Sequence, residues 1–420
     1  KAAAPKKGRI LMRNNFRKCY PLRSLFNERN SMKILFLDSP AFAKKDMLEA
    51  FHNCNIETDL FMHEDYNVRK SAAYDAAFDA AVENTSYDFV FSFNYYPILA
   101  TCTHRHNLRY VSYVYDSPLV ALYSFTITYP TNYIFLFDYP IYEELKQGGI
   151  DRVFYLPLAA NAKRLSTMQA ADSILDIISS EISFVGSLYN EDHLLYDRLY
   201  QKLPAFTKGY LDAIIAAQQQ VYGEFLIPGL LNDTILSDMQ KSVPYAPNED
   251  GIETPCYIYA NYFLARKLAE LDRTAILKKL SAAHQVKLYT NNPTPQLPKV
   301  ENMGAIDYYE IMPLVFQHSK INLNITLRSI QKGIPLRAFD IMGSGGFLLT
   351  NYQEDFLNYF VPGEDFIYYS SYEKADAYAD YYLSHEKERQ QIAANALGKI
   401  LEAHTFEHRI QTMLSVIDGQ

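Results

Sequence analysis

Short runs of apolar residues, each ending in a polar side chain, recur through the first half of the chain. Because these runs are almost continuously apolar, they are typical of parallel strands that are covered on both faces. Four of them are predicted to be strands: residues 32–37, 88–93, 109–115 and 133–137. Helical patterns over 45–53 and 71–83 separate the first two, and this alternation predicts a doubly wound α/β domain.

The residue that follows each predicted strand is polar: Asp38, Asn94, Asp116 and Asp138. Ligands of open α/β sheets bind beyond the carboxyl ends of the strands, so the four side chains together predict a cleft along this edge. A single Asp is better explained by turn and cap chemistry, since Asp38 and Asp116 each begin an Asp-Ser-Pro sequence that suits a helix start.

A second α/β unit begins near Ser183, where a short strand runs into a turn at Gly186 and Ser187. A mostly helical insertion follows over about 192–283, and strand-like runs then return. We therefore expect two α/β lobes with a cleft between them. The predicted division is a leader over 1–31, a first lobe over 32–160, a second lobe over 161–400 and a terminal helix over 401–420 that crosses back to the first lobe.

The net charge of −8 at pH 7 divides unevenly along the 420 residues. The leader carries nine basic side chains and one acidic side chain, whereas the rest of the chain carries 31 basic and 47 acidic ones. An acidic body excludes a broad nucleic-acid surface. The leader is predicted to be a disordered or vector-derived tail, and the alternative is a contact with anionic lipid or a partner.

Cysteine usage and hydropathy bear on the compartment. Cys19, Cys54, Cys102 and Cys256 form no C-x-x-C pair and no zinc spacing, which excludes a disulfide scaffold and fits a reducing compartment. No apolar run approaches the ~20 residues of a membrane span. We expect a cytoplasmic protein that is peripheral to a membrane at most through its leader.

Residues 321–350 carry most of the candidate chemistry. A strand ending at Thr326 leads to Pro335, whose fixed φ suits the first position of a helix. A helix start at the carboxyl end of a parallel strand presents free N–H groups and a positive dipole end to a ligand. Three cations surround this start: Arg328, Lys332 and Arg337. Together they predict a diphosphate site.

Asp340 stands three residues after Arg337, so both side chains occupy one face of the predicted helix. A carboxylate one turn behind a phosphate site is well placed to accept hydrogen bonds from ribose hydroxyls. The alternative is an ordinary amphipathic helix with an Arg–Asp pair, and spacing alone slightly favours that alternative.

The segment from Gly333 to Thr350, which contains Arg337-Ala-Phe-Asp340-Ile-Met-Gly-Ser-Gly, resembles the donor-site signature of GT-B glycosyltransferases. Within that class, the chain resembles the spore-maturation CgeB-like family, with a C-terminal domain of the group 1 glycosyltransferase type, over nearly everything except the leader. The further motifs that carry this resemblance are Phe184-Val-Gly-Ser-Leu-Tyr189, Asp272-Arg273, Phe360-Val-Pro-Gly-Glu-Asp365 and His404-Thr-Phe-Glu-His-Arg409.

The resemblance implies a GT-B architecture of two Rossmann-like lobes, in which the second lobe binds a nucleotide-sugar and the first lobe receives the acceptor. It implies that Gly186 and Ser187 lie by the diphosphate and that Gly333 belongs to the donor site. It also implies that Asp340 holds the ribose and that Tyr308 lies at the base. A UDP-sugar is the favoured donor. Neither a metal nor another cofactor is implied, which agrees with the lack of any Asp-x-Asp triplet in the sequence.

One position departs from the broader retaining GT-B families, which carry a Glu where this chain has Lys332. A lysine cannot accept hydrogen bonds from sugar hydroxyls, but it can neutralise charge that develops on the leaving phosphate. Lys332 is therefore one candidate catalytic residue, with retention the favoured stereochemistry. Asp116 is the other, as the general base that an inverting reaction requires.

Two further histidines are candidates for chemistry. His104 and His106 lie one residue apart and suggest a metal site or a His–Asp pair with Asp116, although a surface loop explains them better. The sequence contains no P-loop pattern and no G-x-S-x-G elbow.

The sequence thus predicts a hexosyltransferase-like enzyme. It would move a sugar from a nucleoside-diphosphate-sugar to a polysaccharide, glycolipid or protein acceptor, as in bacterial cell-surface or protein glycosylation. Two alternatives stay open. One is a GT-B relative that has lost transfer and acts as a nucleotide-sugar-binding or partner protein, which Lys332 favours. The other is a sugar epimerase on the same fold.

Overall fold

Two parallel sheets of six strands each organise the chain in a computed structural model, which describes residues 32–191 and 195–419. The first sheet contains β1 (Met32–Leu37), β2 (Ile56–Phe61), β3 (Phe89–Phe93), β4 (Tyr110–Val114), β5 (Asn132–Leu136) and β6 (Val153–Tyr155), in the order β2-β1-β3-β4-β5-β6. The second contains β7 (Ser180–Val185), β8 (Val286–Tyr289), β9 (Glu301–Asn302), β10 (Ser319–Asn324), β11 (Leu348–Asn351) and β12 (Ile367–Tyr369), in the order β12-β11-β10-β7-β8-β9. The prediction of an α/β fold with two Rossmann-like lobes is confirmed; the predicted leader lies outside the described residues.

Helices cover these sheets and connect their strands. Those of the first half are α1 (Lys44–Asn53), α2 (Ala72–Val82), α3 (Pro97–Arg105), α4 (Tyr139–Gln147), α5 (Ala162–Thr167) and α6 (Leu175–Ile178). Between β7 and β8 lie α7 (Leu195–Lys202), α8 (Ala205–Gln220), α9 (Ile227–Leu230), α10 (Asp233–Ser242), α11 (Pro255–Ile258), a π-helical segment (Tyr259–Leu264) and α12 (Ala265–Leu280). The rest are α13 (Met312–His318), α14 (Leu336–Gly343), α15 (Phe356–Tyr359), α16 (Tyr372–Ser384), α17 (Glu386–Ala403) and α18 (Phe406–Asp418).

Local sequence explains why the central strands and the helix starts fall where they do. Every residue of β3, β4 and β5 is buried, as expected for continuous apolar runs in a sheet covered on both faces. Ser71 caps α2, because its side chain accepts the N–H of Tyr74 at 3.1 Å. Ser371 caps α16 in the same way.

The two Asp-Ser-Pro sequences do not begin α-helices directly. α1 begins only at Lys44, and the Asp38 carboxylate contacts the Lys44 ammonium instead of capping a helix. Asp116 precedes a 3₁₀ turn at Val120–Leu122 and accepts a hydrogen bond from the Asn94 side chain. In both cases the carboxylate has a polar partner elsewhere along the sheet edge.

The two lobes share buried contacts. One apolar cluster contains Phe36 of β1 and Phe339 of α14, and therefore continues from one lobe into the other. The terminal helix α18 packs on α1. At its start, the buried Arg409 donates hydrogen bonds to the carbonyl oxygens of Pro157 and Leu158, in the segment that leads out of the first sheet. These contacts hold the lobes against each other behind the cleft.

A helical insertion, comprising α7 to α11 and the π-helical segment, has its own apolar core around Leu211, Ile235 and Tyr259. Its contacts with the first lobe include two hydrogen bonds. The Val120 N–H donates to the Tyr262 hydroxyl at 2.8 Å, and the Ser124 hydroxyl donates to Asp250 at 2.5 Å. Within the part of the chain that the structure describes, no helix is long and apolar enough to cross a membrane.

Candidate active site

The carboxyl ends of the two sheets meet at Asp138. This residue follows β5, and its carboxylate accepts the backbone N–H groups of Gln331, Lys332 and Gly333 at 3.1, 3.0 and 3.0 Å. The carboxylate is buried, and the loss of hydration raises the pKa of Asp138 above its ordinary value while the three N–H groups oppose that effect. The loop that leads into α14 is therefore fixed by a side chain of the first lobe.

Gly333 allows this close approach. A Cβ atom at position 333 would lie 2.7 Å from the Phe137 ring and 2.8 Å from the Phe137 carbonyl oxygen. Neither distance is tolerated by a real side chain, so contact between the lobes requires glycine here. The predicted donor residue Gly333 thus lies on the cleft, against the first lobe.

α14 presents the predicted Arg–Asp pair. Pro335 is the residue before this helix rather than its first residue. Arg337 Nη1 lies 3.4 Å from Asp340 Oδ2, and the Tyr308 hydroxyl donates to Asp340 Oδ1 at 3.0 Å. Burial raises the pKa of Asp340 to about 6, although the charge of Arg337 and the Tyr308 hydrogen bond both lower it. Tyr308, Arg337 and Asp340 therefore form one cluster, and their donor-binding roles stay predictions.

Arg337 is the charged member of this cluster that remains accessible. About a quarter of its side chain is exposed (24%), whereas the side chain of Asp340 is 3% exposed. Its guanidinium also contacts the sulfur of Met312 and lies 5.6 Å from the centre of the Phe316 ring. The arrangement offers a cation to an anionic ligand at the amino end of α14.

Tyr308 is half-buried and belongs to an aromatic contact between the lobes. Its ring centre lies 5.2 Å from that of Phe42, in the loop between β1 and α1, and 4.9 Å from that of Tyr309. The Lys45 N–H of α1 donates to the Tyr309 hydroxyl at 3.1 Å. Phe42 is 55% exposed, so this pair presents an open aromatic surface on which a base or sugar ring can stack. No sequence pattern points to Phe42.

Gly186 and Ser187 lie at the carboxyl end of β7, next to β10 in the sheet. The Ser187 hydroxyl donates to Glu191 at 2.8 Å and accepts the N–H of Tyr189 at 2.8 Å. Tyr189 has a positive φ of 57°, which is uncommon for a non-glycine residue. The Ser187 side chain therefore has partners within its own loop.

The structure gives Arg328 partners other than a ligand. Its guanidinium donates to Asp272 at 2.8 Å and to the Val221 carbonyl at 2.7 Å, and it lies 3.5 Å from the centre of the Tyr222 ring. Only 5% of its side chain is exposed. In this arrangement Arg328 joins the helical insertion to the second sheet. Its donor-binding role stays a prediction.

Lys332 has an acidic partner on the second lobe. Its ammonium lies 2.8 Å from Glu354, and about a third of its side chain is exposed (32%). Its catalytic role also stays a prediction.

Asp116 lies at the end of β4 in the first lobe. The Asn94 side-chain amide donates to Asp116 Oδ2 at 2.7 Å, and its Oδ1 accepts the Asp116 backbone N–H at 3.1 Å. The side chain is exposed at the cleft, yet surrounding protein displaces part of its water and raises the pKa of Asp116. A raised pKa makes a carboxylate a better proton acceptor.

The two histidines lie elsewhere. α3 runs from the carboxyl edge of the first sheet to its amino edge, and His104 and His106 stand at its far end. His106 pairs with Asp79 at 2.6 Å, and His104 stacks on Tyr129 with ring centres 4.2 Å apart. The predicted alternative that joined a histidine to Asp116 has no support from this geometry. Among residues 32–191 and 195–419, no group of three or more His, Cys, Asp or Glu side chains is arranged to hold a metal ion.

Comparisons with known proteins agree with this architecture. Residues 266–415 match the model of a family described as glycosyl transferase-like. HepE from Anabaena, solved in complex with UDP-glucose, is 9% identical, with a TM-score of 0.51 over 93% of this chain and 100% of that chain. Sucrose-phosphate synthase from Thermosynechococcus elongatus is 10% identical, with a TM-score of 0.51 over 92% of this chain and 99% of that one. A search of curated protein sequences finds no match.

These findings define the class of protein. The chain has the GT-B fold, and its second lobe carries a glycosyl transferase-like domain that includes α14 and the Arg337–Asp340 pair. At this level of identity, the solved structures establish the fold alone.

Proposed function

We propose that the protein is a glycosyltransferase that moves a sugar from a nucleoside-diphosphate-sugar to a polysaccharide, glycolipid or protein acceptor. The observation that carries the proposal is the Tyr308–Arg337–Asp340 cluster. It stands at the amino end of α14, on the cleft, inside the segment that matches the glycosyl transferase-like family. Membership of the narrower CgeB-like family is part of the proposal and rests on the order of the sequence motifs.

The donor diphosphate would lie at the amino end of α14. There the helix dipole and the accessible Arg337 guanidinium would offset its charge. As the bond between the sugar and the diphosphate breaks, negative charge grows on the leaving oxygen, and these groups stabilise it. UDP is the favoured nucleotide, since the HepE structure of the same fold holds UDP-glucose. Because protein cations take this role, the proposed reaction needs no metal.

The acceptor would enter from the first lobe. There Asp116 is the group placed to take the proton from the acceptor hydroxyl as its oxygen bonds to the sugar carbon. This role applies to an inverting reaction. In a retaining reaction, which the resemblance favours, the departing phosphate accepts that proton and Lys332 would balance its charge.

The test is a panel of UDP-, GDP- and ADP-sugars, measured both by thermal shift and by release of the nucleoside diphosphate, with and without EDTA. The proposal predicts that one nucleotide raises the melting temperature and that its sugar conjugate is cleaved at the same rate in EDTA. Absence of binding across the panel would contradict the proposal.

A second candidate function is favoured by Lys332, which pairs with Glu354 where related enzymes carry a carboxylate. It is a GT-B protein that binds a nucleotide-sugar without transferring it. Stabilisation by a nucleoside diphosphate together with no hydrolysis and no transfer, for any sugar in the panel, is the outcome that this candidate predicts.

A further inference from the structure

The helical insertion makes hydrogen bonds with the β4–β5 loop of the first lobe (residues 115–131), which contains Asp116. Tyr262, in the π-helical segment, bonds to this loop twice. Its hydroxyl accepts the Val120 N–H at 2.8 Å and donates to the Pro118 carbonyl oxygen at 3.2 Å. π-Helical turns are rare in proteins and occur frequently at functional sites. One hydroxyl therefore fixes the backbone two and four residues after Asp116.

A second part of the insertion pairs with the same loop as a short antiparallel bridge. Ser124 and Gly251 are the bridge partners, and the Ile252 N–H donates to the Tyr123 carbonyl oxygen at 2.8 Å. Ser124 is fully buried, and its hydroxyl donates to the Asp250 carboxylate at 2.5 Å. The β4–β5 loop is therefore bonded to the insertion at two separate places, through its backbone and through a buried side chain.

An ion pair reinforces the second contact. Arg69, in the segment between β2 and α2 of the first lobe, lies 3.1 Å from Asp250 Oδ2, the oxygen that also accepts the Ser124 hydroxyl. Both partners of this pair are largely buried, so salt screens their attraction less than that of an exposed pair. The insertion is thus bonded to two loops of the first lobe, one after β2 and one after β4.

These contacts place the insertion beside Asp116. Tyr257 of α11 lines the same cavity as Asp116, at the carboxyl ends of β4 and β5. Asn94 of the first lobe bonds to the Asp116 carboxylate, while the insertion bonds to the backbone that follows it. On its other side the insertion is joined to the second lobe, where Arg328 donates to the Val221 carbonyl oxygen at 2.7 Å. The loop that carries Asp116 is therefore connected to the second lobe through the insertion.

We propose that Tyr262 is a positioning residue for the acceptor side of the reaction. Through the β4–β5 loop it holds Asp116 where the carboxylate accepts a hydrogen bond from the incoming hydroxyl. The inference rests on the proposed function, because Asp116 has this role only if the protein transfers a sugar to a hydroxyl. It predicts that the insertion affects turnover through Asp116 and leaves binding of the donor nucleotide to the second lobe unchanged.

The test follows hydrolysis of the UDP-, GDP- or ADP-sugar that the panel above shows to be cleaved. Water then takes the place of the acceptor: its oxygen bonds to the sugar carbon, the nucleoside diphosphate leaves, and the water proton passes to Asp116 or to the leaving phosphate. The proteins are the wild type, Tyr262→Phe, Asp116→Asn and the double variant. Tyr262→Phe removes both hydrogen bonds to the loop and keeps the ring.

Tyr200→Phe is the matched control, because the Tyr200 hydroxyl donates to Asp212 at 2.7 Å within the insertion itself. Circular dichroism and melting temperature establish that each variant is folded. Calorimetry measures the affinity for the nucleoside diphosphate, and amide hydrogen exchange measures the protection of the Val120 N–H.

For Tyr262→Phe we expect turnover to fall roughly tenfold or more, because a small displacement of a group beside the reacting atoms costs at least that much. Nucleoside-diphosphate affinity should stay within about twofold, and the Val120 N–H should exchange faster. In the Asp116→Asn background the same change should lower turnover less than about twofold, as expected for residues that act as a unit. Tyr200→Phe should keep turnover within about twofold of the wild type.

Wild-type turnover in Tyr262→Phe would overturn the inference. So would an equal loss with and without the Asp116 carboxylate, since that pattern indicates a structural role, and so would unchanged exchange of the Val120 N–H. A wild type that cleaves no nucleotide-sugar of the panel would contradict the proposed function itself, a result distinct from any loss that is confined to the variants.

Discussion

The carboxylate of Asp138 in the first lobe accepts the backbone N–H of Gly333 in the second lobe at 3.0 Å. Two more N–H groups of the same loop donate to this carboxylate, so one side chain satisfies three consecutive backbone donors across the cleft. The contact fixes the loop that leads into α14, the helix that carries Arg337. Contact between the lobes and the position of the loop before α14 therefore depend on the same carboxylate.

Replacing Asp138 by alanine leaves three backbone donors without this acceptor, the buried N–H of Gly333 and the partly buried N–H groups of Gln331 and Lys332. We expect the free energy of unfolding to fall by about 2–4 kcal/mol, since an unsatisfied buried donor costs much of its desolvation energy. Asp138→Asn keeps one acceptor oxygen and should fall between the alanine variant and the wild type. Urea denaturation measures both changes. Asp151→Ala, at an exposed position of the same lobe, is the control, and a loss no larger than that of Asp151→Ala would contradict this account of the contact.

Gly333→Ala tests the close approach of the lobes from the other side. The added Cβ would lie within 3 Å of the ring and the carbonyl oxygen of Phe137, so the loop must move away from the first lobe. We expect a loss of stability of about 1–3 kcal/mol and weaker nucleotide binding. Gly398→Ala is the matched control: it lies inside α17 with open space around its Cβ and should be neutral or slightly stabilising. Equal melting temperatures for the two variants would be the contrary result.

Asp340 makes stability depend on pH in a definite direction. Its pKa is about 6 in the folded protein, against 3.8 for an unperturbed Asp. Between about pH 4 and pH 6 the folded state keeps a proton that the unfolded state has released, so this residue's contribution to stability is present in acid and is lost as the pH rises through 6. Asp340→Asn abolishes that titration. Relative to the wild type, its stability should therefore improve by up to about 3 kcal/mol between pH 4 and pH 7.

Asp355 provides a second test of the same pH dependence of stability. Asp355 is also buried, accepts the Tyr155 hydroxyl at 2.8 Å and has a pKa raised to about 6 by burial. Asp355→Asn should therefore show a similar relative gain, whereas the exposed control Asp151→Asn should show none. Chemical denaturation at each pH measures the differences, and parallel curves for Asp340→Asn and Asp151→Asn would refute the assignment.

Asp116→Asn separates chemistry from donor binding. If Asp116 takes the acceptor proton, turnover should fall roughly a hundredfold or more, because a general base contributes about that factor or more to the rate. Its place in the first lobe predicts that UDP affinity stays within about twofold. Steady-state kinetics and calorimetry provide the two numbers. Turnover within tenfold of the wild type would exclude Asp116 as the base and leave the retaining route, with Lys332, as the better description.

The elements that sequence patterns place well are those with local causes. The buried runs of β1, β3, β4 and β5 are continuous in the sequence, and the polar residues that end them do line one edge of the sheet. The Arg337–Asp340 pair follows from helical spacing alone. Tyr308 is a candidate only through the family resemblance. In the structure its hydroxyl donates a hydrogen bond to Asp340.

Contacts between segments that are distant in the chain could not be predicted from the sequence. The sequence predicts that Arg328 is a cation available to a ligand near a helix start. In the structure it forms an ion pair with Asp272, which lies 56 residues earlier on α12. The sequence identifies Asp138 only as a polar residue at a strand end. The loop that donates hydrogen bonds to its carboxylate lies almost two hundred residues further along the chain. Phe42 carries no pattern at all, because its relevance comes only from the opposing Tyr308 ring.

The central claim is that the amino end of α14 binds the donor diphosphate, and Arg337→Ala tests it most directly. With the nucleotide-sugar identified by the panel, turnover and nucleoside-diphosphate affinity are measured for wild type and variant, alongside unfolding in urea. We predict that kcat/KM falls roughly a hundredfold or more, consistent with loss of a charged hydrogen bond at the reacting phosphate. The variant stays folded, with a free energy of unfolding lower by about 1–3 kcal/mol because Asp340 loses a charged partner. Undiminished turnover and affinity in a folded Arg337→Ala protein would contradict the claim.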